Sequence, residues 1–424
     1  MPQRNEPISQ SGHQYKQPAS DKTMHKMLMF AYYFPPMNES GAQRPFRFSK
    51  YLRIFDVLTQ VVMASDDGKT NAVLLNENYT DKVAEPTKLI TVLARIVQRL
   101  LPYNDQLTWV PYAIAAAERV LADGDVFAML STSPPSATHI AAFLLKRRYG
   151  IRWIADLRDP IYQNPFRRGR VAGWWDHFIE WLVITYADGI VGNTAGAVEE
   201  LKKRYSRFSS KIFLIWNGYD PEEELTALPI SNQKHLVLTH AGSLYSGRHP
   251  GQLLASLSRL ITQGVLSQDH IRVRLIGYIN LEEPWVAHYN FRSILGEPWL
   301  ECVNRVLPRQ EALNAIATSN YLLLFDINER GVGLQVPAKL FEYIRIGRPI
   351  LAFTTPGSPT EYILSRSGIP HTCIYQNSTD EETDNRLLFF LRFSSEPVSP
   401  SEWFRKEFDA AVQTKILASM LGVV

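Results

Sequence analysis

The sequence predicts an α/β protein built from two doubly wound, Rossmann-like domains that face each other across a cleft. Three observations lead there. Short apolar runs alternate with amphipathic stretches from Lys26 onward, the pattern of a parallel sheet covered by helices on both faces. A polar, proline-containing stretch, Pro221–Lys234, interrupts the alternation, which then restarts. A chain of 424 residues also exceeds one ordinary core. The expected division is a disordered tail over 1–25, an N-terminal domain over 26–220, a C-terminal domain over 235–395 and a helical tail over 396–424.

In the first series, Lys26–Tyr33 is expected to be a buried strand. It leads through the turn-rich loop Phe34–Gly41 into a helix over Arg44–Tyr51, and Asp56–Met63 is the next strand. Helices are expected over Thr87–Leu101 and Tyr112–Ala122. The strand Asp125–Leu130 then runs through STSPPSATH into the helix Ala137–Tyr149. Strands Arg152–Ala155, Asp188–Gly192 and Lys211–Ile215 follow, with a helix over Ala195–Tyr205. The second series opens with the strand Leu236–Thr239 and the helix Gln252–Leu260. It continues with strand Val273–Gly277, helix Gln310–Ala317, strand Tyr321–Asp326, a helix within Val336–Pro349, strand Ile350–Thr354 and a last helix over Ser401–Leu421. Ligands of such sheets bind beyond the carboxyl ends of strands, which is where Pro35–Gly41 lies, and Gly41 permits close backbone approach.

The composition is that of an ordered globular protein, with 45% hydrophobic and 21% charged residues. A formal net charge of +3, without a patterned basic domain, argues against nucleic acid as a partner. Cys302 and Cys373 have no zinc-like spacing and read as reduced thiols of a cytoplasmic protein. No run approaches the ~18 apolar residues of a membrane span, and the N-terminal stretch lacks a signal-peptide core.

Chemistry concentrates in VPAKLFEYIRIGRP, Val336–Pro349. Pro337 suits a first helical position, Gly347 a left-handed end, and Pro349 forbids continuation. Leu340, Phe341 and Ile344 form an apolar face, leaving Lys339 and Glu342 as neighbours three residues apart. A cation at a helix N-terminus favours phosphate, and a carboxylate one turn on can accept from a ribose diol, the layout of a nucleotide-sugar donor site. The alternative is a solvated Lys/Glu pair. In GSLYSGR, Gly242 and Arg248 follow a strand and precede a helix, so backbone amides and a guanidinium can hold phosphate there; otherwise Arg248 is an exposed loop residue.

Taken with these, the segments YYFPPMNESGAQRPFRFSKYL, Asp105 with Trp109, STSPPSATH, GIRWIADLRDP, WNGYD, HAGSLYSGRHP and VPAKLFEYIRIGRPI resemble, in order and spacing, a family 4 glycosyltransferase of the GT-B fold, of the bacterial polysaccharide-biosynthesis type. The resemblance spans Lys26 to Pro370. It implies retaining transfer from a nucleoside-diphosphate sugar, with Arg248 on the diphosphate, Lys339 adding to that clamp, Glu342 on the donor ribose and Gly41 against the phosphates. The family's earlier glutamate would fall on Leu334, with Asn328 and Glu329 nearby, and Gly277–Asn280 holds no second basic residue. Asp159 of RDP falls in the active-site region on the acceptor side, with Arg158, although the three residues also suit a paired, capped turn. His139 either faces the cleft on that side or packs within its helix. The resemblance further implies that Arg, Lys and a helix dipole neutralise the leaving group, with no metal requirement and no cofactor.

Other features have plainer readings. Asp123–Gly124–Asp125 precedes a strand and reads as a turn, Asp220–Glu224 as a solvated helix start or linker, and Cys302 as a buried thiol. GxxxxGK[ST], GxGxxG and HExxH motifs are absent. Phe166–Ile184 combines Arg167, Arg168 and Arg170 with Trp174, Trp175, Phe178, Trp181 and Leu182. It suits peripheral contact with an anionic membrane bearing a lipid-linked acceptor, or packing against the first sheet. The expected activity is transfer of a hexose-type sugar to a hydroxyl of a saccharide or lipid-linked saccharide. The alternatives are a nucleotide-sugar epimerase of the same fold and a non-catalytic carbohydrate- or partner-binding homologue.

Overall fold

The computed structural model describes residues 24–37, 40–65, 72–76, 79–82, 88–100, 106–162, 169–230, 234–245, 247–326 and 335–424. The expectations for residues 1–23, Asp105, residues 166–168, Asn328, Glu329 and Leu334 lie outside these.

The first series forms β1 (His25–Ala31), α1 (Gln43–Leu52), β2 (Val57–Ala64), β3 (Ala72–Asn76), β4 (Tyr79–Lys82), α2 (Lys88–Leu100) and α3 (Val110–Ala122). It continues with β5 (Val126–Ser133), α4 (Ala137–Tyr149), β6 (Arg152–Leu157), α5 (Arg170–Tyr186), β7 (Gly189–Gly192), α6 (Ala195–Arg204) and β8 (Ile212–Leu214). The eight strands lie in the order β4-β3-β2-β1-β5-β6-β7-β8. From β2 to β8 all pairs are parallel, while β3 and β4 add an antiparallel edge absent from the sequence reading.

The second series forms β9 (Leu236–Ala241), α7 (Gly251–Thr262), β10 (Ile271–Ile276), α8 (Pro284–His288), α9 (Phe291–Ile294), β11 (Leu300–Val303) and α10 (Arg309–Ala317). Then come β12 (Tyr321–Phe325), α11 (Lys339–Ile346), β13 (Ile350–Thr354), α12 (Pro359–Arg366), β14 (His371–Tyr375), α13 (Asp380–Phe390), α14 (Glu402–Glu407) and α15 (Ala410–Leu421). Its six strands, β11-β10-β9-β12-β13-β14, are all parallel.

Both sheets bury apolar side chains on both faces. Trp109, Trp153 and Val183 lie on one side of the first sheet, Met27, Phe48 and Leu130 on the other. Leu253, Phe291 and Phe390 lie on one side of the second, Leu322, Phe341 and Ile363 on the other. Strand order reverses between β1 and β5 in the first sheet and between β9 and β12 in the second. Crevices open beyond the carboxyl ends at such switch points.

The C-terminal segment corrects the expectation of a single helix in a tail. Asp409 leaves the helical conformation and accepts from Ala411 N at 2.7 Å, breaking the segment into α14 and α15. Phe404 and Phe408 pack with Phe341 of the second domain, whereas Leu417, Ala418 and Leu421 pack with Met27, Phe48 and Leu52 of the first. Residues 410–421 therefore complete the N-terminal core. The acidic linker is corrected too. Asp220 accepts from Lys50 Nζ at 2.8 Å and Tyr51 Oη at 2.5 Å, and Glu223 from Arg309 Nη2 at 2.8 Å, so both domains grip it.

Candidate active site

The two switch points face each other across a cavity of about 400 Å³. From the first domain it is lined by Gly41 and Arg47 after β1, Arg158 and Asp159 after β6, Asn193 after β7 and Asn217 after β8. From the second come His240, Tyr245 and Arg248 at and after β9, and Gln335 and Lys339 between β12 and α11.

Lys339 opens α11, whose apolar face (Leu340, Phe341, Ile344) is buried against β12 and its neighbours, and Gly347 ends it at φ +80°. That anchoring leaves the Lys339 side chain to run along Gly242. A Cβ built on Gly242 would lie 2.0 Å from Lys339 Cε and 2.3 Å from Nζ. The glycine thus admits the lysine, a close approach the sequence reading had left to a ligand. Burial lowers the Lys339 ammonium to about 8, with Arg248 and Arg309 adding to the shift and Glu342 opposing it. Arg248 lies over the Tyr245 ring at 5.8 Å, and its buried Nε has no hydrogen-bond partner among the described residues.

Arg158 is a brace for the site's loops. It donates to the Ser133 carbonyl at 2.5 Å, the Pro134 carbonyl at 3.0 Å and the Gly41 carbonyl. A Cβ on Gly41 would meet its Nη1 at 2.7 Å, so Gly41 makes room for Arg158 as well as lining the cavity. Beneath it, buried Asp156 accepts from Arg44 Nη2 at 2.9 Å and from Thr132 Oγ1 at 2.8 Å. Asp159 accepts from Gln335 Nε2 of the other domain at 2.8 Å, a contact across the cleft. Burial pushes its carboxyl above the usual range, against the pull of Arg158 and Arg248.

Three sequence-predicted residues do not line the cavity: Gly242, which lies against the Lys339 side chain, Glu342 and His139. Glu342 does not line the cavity: its Oε1 accepts from Arg309 Nη1 at 2.6 Å, and Arg309 also holds Glu223. His139 does not reach the cleft, which corrects its assignment to the acceptor side. It is wholly buried, with Nδ1 2.7 Å from Ser131 Oγ, and burial lowers it to about 3. Its helix turns this position toward β5 and Trp153.

Several lining residues escaped the sequence reading. Arg47, one turn after Arg44 on α1, donates to the Gly218 carbonyl, and its buried Nε is unpartnered among the described residues. His240 has Nδ1 2.9 Å from the Leu323 carbonyl, and burial lowers it to about 3. Asn193 Oδ1 is buried without a partner among the described residues. The signal available was position: each stands at or just after the carboxyl end of a strand, except Arg47, which the helix period alone would have picked. Asp123–Asp125 is a turn at the opposite end of β5, with Gly124 at φ +77°. Among the described residues no group of three or more His, Cys, Asp or Glu is placed to hold a metal. Cys302 and Cys373 are free thiols, raised by burial to about 11 and about 12. No helix is long and apolar enough to cross a membrane, among the described residues.

No protein-family model matches the sequence, and no curated protein matches it. Solved structures do match the fold. Sucrose-phosphate synthase from Thermosynechococcus elongatus superimposes with a TM-score of 0.64 at 10% identity, over 94% of this chain and 99% of that one. Anabaena HepE in complex with UDP-glucose gives 0.59 at 11% identity, over 94% and 100%. UDP-GlcNAc 2-epimerase from Methanocaldococcus jannaschii gives 0.53 at 10%, over 95% and 100%. With two doubly wound domains opposed across a cavity at their switch points, the chain has the GT-B fold.

Proposed function

We propose that this protein is a glycosyltransferase that moves a hexose-type sugar from a nucleoside diphosphate to a hydroxyl of a saccharide or lipid-linked saccharide, with retention of configuration. One observation supports this most: Arg248, Lys339 and Arg47 converge on one cavity between the domains, where Asp159 is the lining carboxylate. Such a cavity suits a diphosphate, and the likeness to Anabaena HepE, solved in complex with UDP-glucose, agrees with that.

On this reading Arg248 and Lys339 bind the diphosphate. As the bond from the anomeric carbon to the phosphate oxygen breaks, they neutralise the charge that grows there, without a metal ion or cofactor. The acceptor hydroxyl attacks from the face the leaving group vacates, so configuration is kept. Asp159, raised by burial, takes that hydroxyl's proton or orients it, with Arg158 bracing the loop. A role in polysaccharide biosynthesis, at the cytoplasmic face of a membrane touched through 166–184, completes the proposal.

A thermal-shift panel of UDP, GDP, ADP and dTDP with their common sugars tests it, followed by turnover of labelled donor. A ligand at 100 times its dissociation constant adds about 2.7 kcal/mol to the folded state. A shift with one base, lost in Lys339→Met, is expected. Silence across the panel with folded protein refutes the reading in favour of a non-catalytic homologue. An epimer formed without acceptor identifies instead an epimerase, which shares this fold.

A further inference from the structure

The outer surface of the N-terminal domain carries two apolar stripes left uncovered among the described residues. On α5, Arg170, Val171, Trp174, His177, Phe178 and Trp181 are exposed, Trp174 by 69%. The Trp174 and Phe178 rings stack, with centroids 6.0 Å apart and planes 8° from parallel. Leu182, Val183 and Ile184 on the other side enter the core, so only part of this helix packs on the sheet. On α2, Val92, Leu93, Ile96 and Val97 are all exposed. At about 100° per residue they form one stripe, with Arg95 and Arg99 along its edge. Contacts run from α2 to α3, from α3 to α4 and from α4 to α5, so both stripes belong to one helical layer.

Charge decides what kind of surface fits them. The α2 sequence contains no carboxylate. The two acids of α5 are turned inward: Asp176 is 2% exposed and Glu180 is wholly buried, where it holds Arg204 at 2.6 Å and the Tyr162 amide at 3.0 Å. Between the stripes, α4 presents Arg147 with exposed Leu144 and Tyr149, and Glu118 of α3 is paired with Arg148. An apolar stripe edged by arginines, without a facing acid on α2 or α5, matches the acyl–headgroup boundary of an anionic bilayer, where aromatic rings also settle.

We propose that an anionic lipid bilayer seats on α2 and α5 together, two helices apart in one layer, and not on α5 alone. The proposal rests on the membrane contact above and on a lipid-linked acceptor for its purpose. Full-length protein is sedimented with phosphatidylcholine vesicles with and without phosphatidylglycerol. Wild type is expected to sediment with the anionic vesicles and to be released by salt. Val92→Ser/Leu93→Ser/Ile96→Ser/Val97→Ser and Trp174→Ser/Phe178→Ser/Trp181→Ser are each expected to lower partitioning roughly tenfold or more, and the combination to abolish it. Arg95→Glu/Arg99→Glu keeps the stripe and is expected to remove the phosphatidylglycerol dependence. An α2 variant that sediments like wild type overturns the proposal. So does wild type that ignores phosphatidylglycerol, or a wild-type dimer in light scattering that the α2 variant makes monomeric, which assigns the face to a second copy. Melting and nucleotide-induced shifts, measured without vesicles, report folding and the transferase reading separately from this surface.

Discussion

Replacing Gly242 with alanine is expected to cripple donor binding while leaving the protein folded. Gly242 does not occupy the left-handed region, so alanine meets no backbone strain, and reduced freedom of the unfolded chain favours the variant by about 0.4–1 kcal/mol. The added methyl lies 2.0 Å from Lys339 Cε and 2.3 Å from Nζ. An ordinary contact needs roughly 3.5 Å, so the end of the lysine must move about 1.5 Å. A four-carbon stem can do that by rotation. The methyl thus acts as a wedge on the ammonium, not on the fold. Loss of one charge-assisted hydrogen bond to phosphate is worth about 1.5–3 kcal/mol. At 1.4 kcal/mol per decade this is roughly 10- to 150-fold in dissociation constant. The assay is calorimetric titration with the nucleoside diphosphate selected by the panel, beside unliganded melting. Lys339→Met is expected to lose as much, and the double variant no more than either, because the two changes remove one interaction. Wild-type affinity in folded Gly242→Ala refutes the role of Lys339, and strictly additive losses refute the wedge.

Three further outcomes are expected. Because burial holds Lys339 near 8, its charge is lost as pH rises through about 8, so nucleoside-diphosphate affinity should weaken there, with proton uptake on binding, and Lys339→Met should show neither in titrations at several pH values. His139 and His240 sit near 3 when folded against about 6.5 when unfolded, so the unfolded chain binds more protons between these values; their contribution is complete above about pH 6.5 and falls as pH drops toward 3. Urea unfolding should show that acid limb, and His139→Leu should make it shallower without changing nucleotide affinity. Leu417→Ala should destabilise the protein by about 2–5 kcal/mol in the same assay, because Leu417 is buried in the N-terminal core; a free tail would give no change.

The placement of much of the candidate site was legible because it depends on local order. A strand, a glycine turn and a helix start place Gly242, Arg248 and Lys339 near the carboxyl ends of strands, and strand–helix alternation puts those ends on one side of each sheet. The C-terminal end of α11 was legible for the same reason, since Gly347 stands at φ +80° as its position after the last turn requires, whereas Pro337, expected at the first helical position, precedes the N-cap Ala338 and the helix starts at Lys339. What failed were partners distant in sequence. Nothing near Glu342 announces Arg309, thirty-three positions earlier, and nothing near Gly41 announces Arg158, one hundred and seventeen later.

The sequence by itself therefore determined two doubly wound sheets and the strand ends where cations gather. These follow from periodicity and turn chemistry, which act over a few residues. Only the tertiary structure decided which groups meet. It sent α15 back to close the N-terminal core, buried His139 behind Ser131, gave Glu342 to Arg309, and set Asp159 against Gln335 of the other domain. Those outcomes depend on which surfaces pack together, and packing joins residues by shape and charge whatever their separation along the chain.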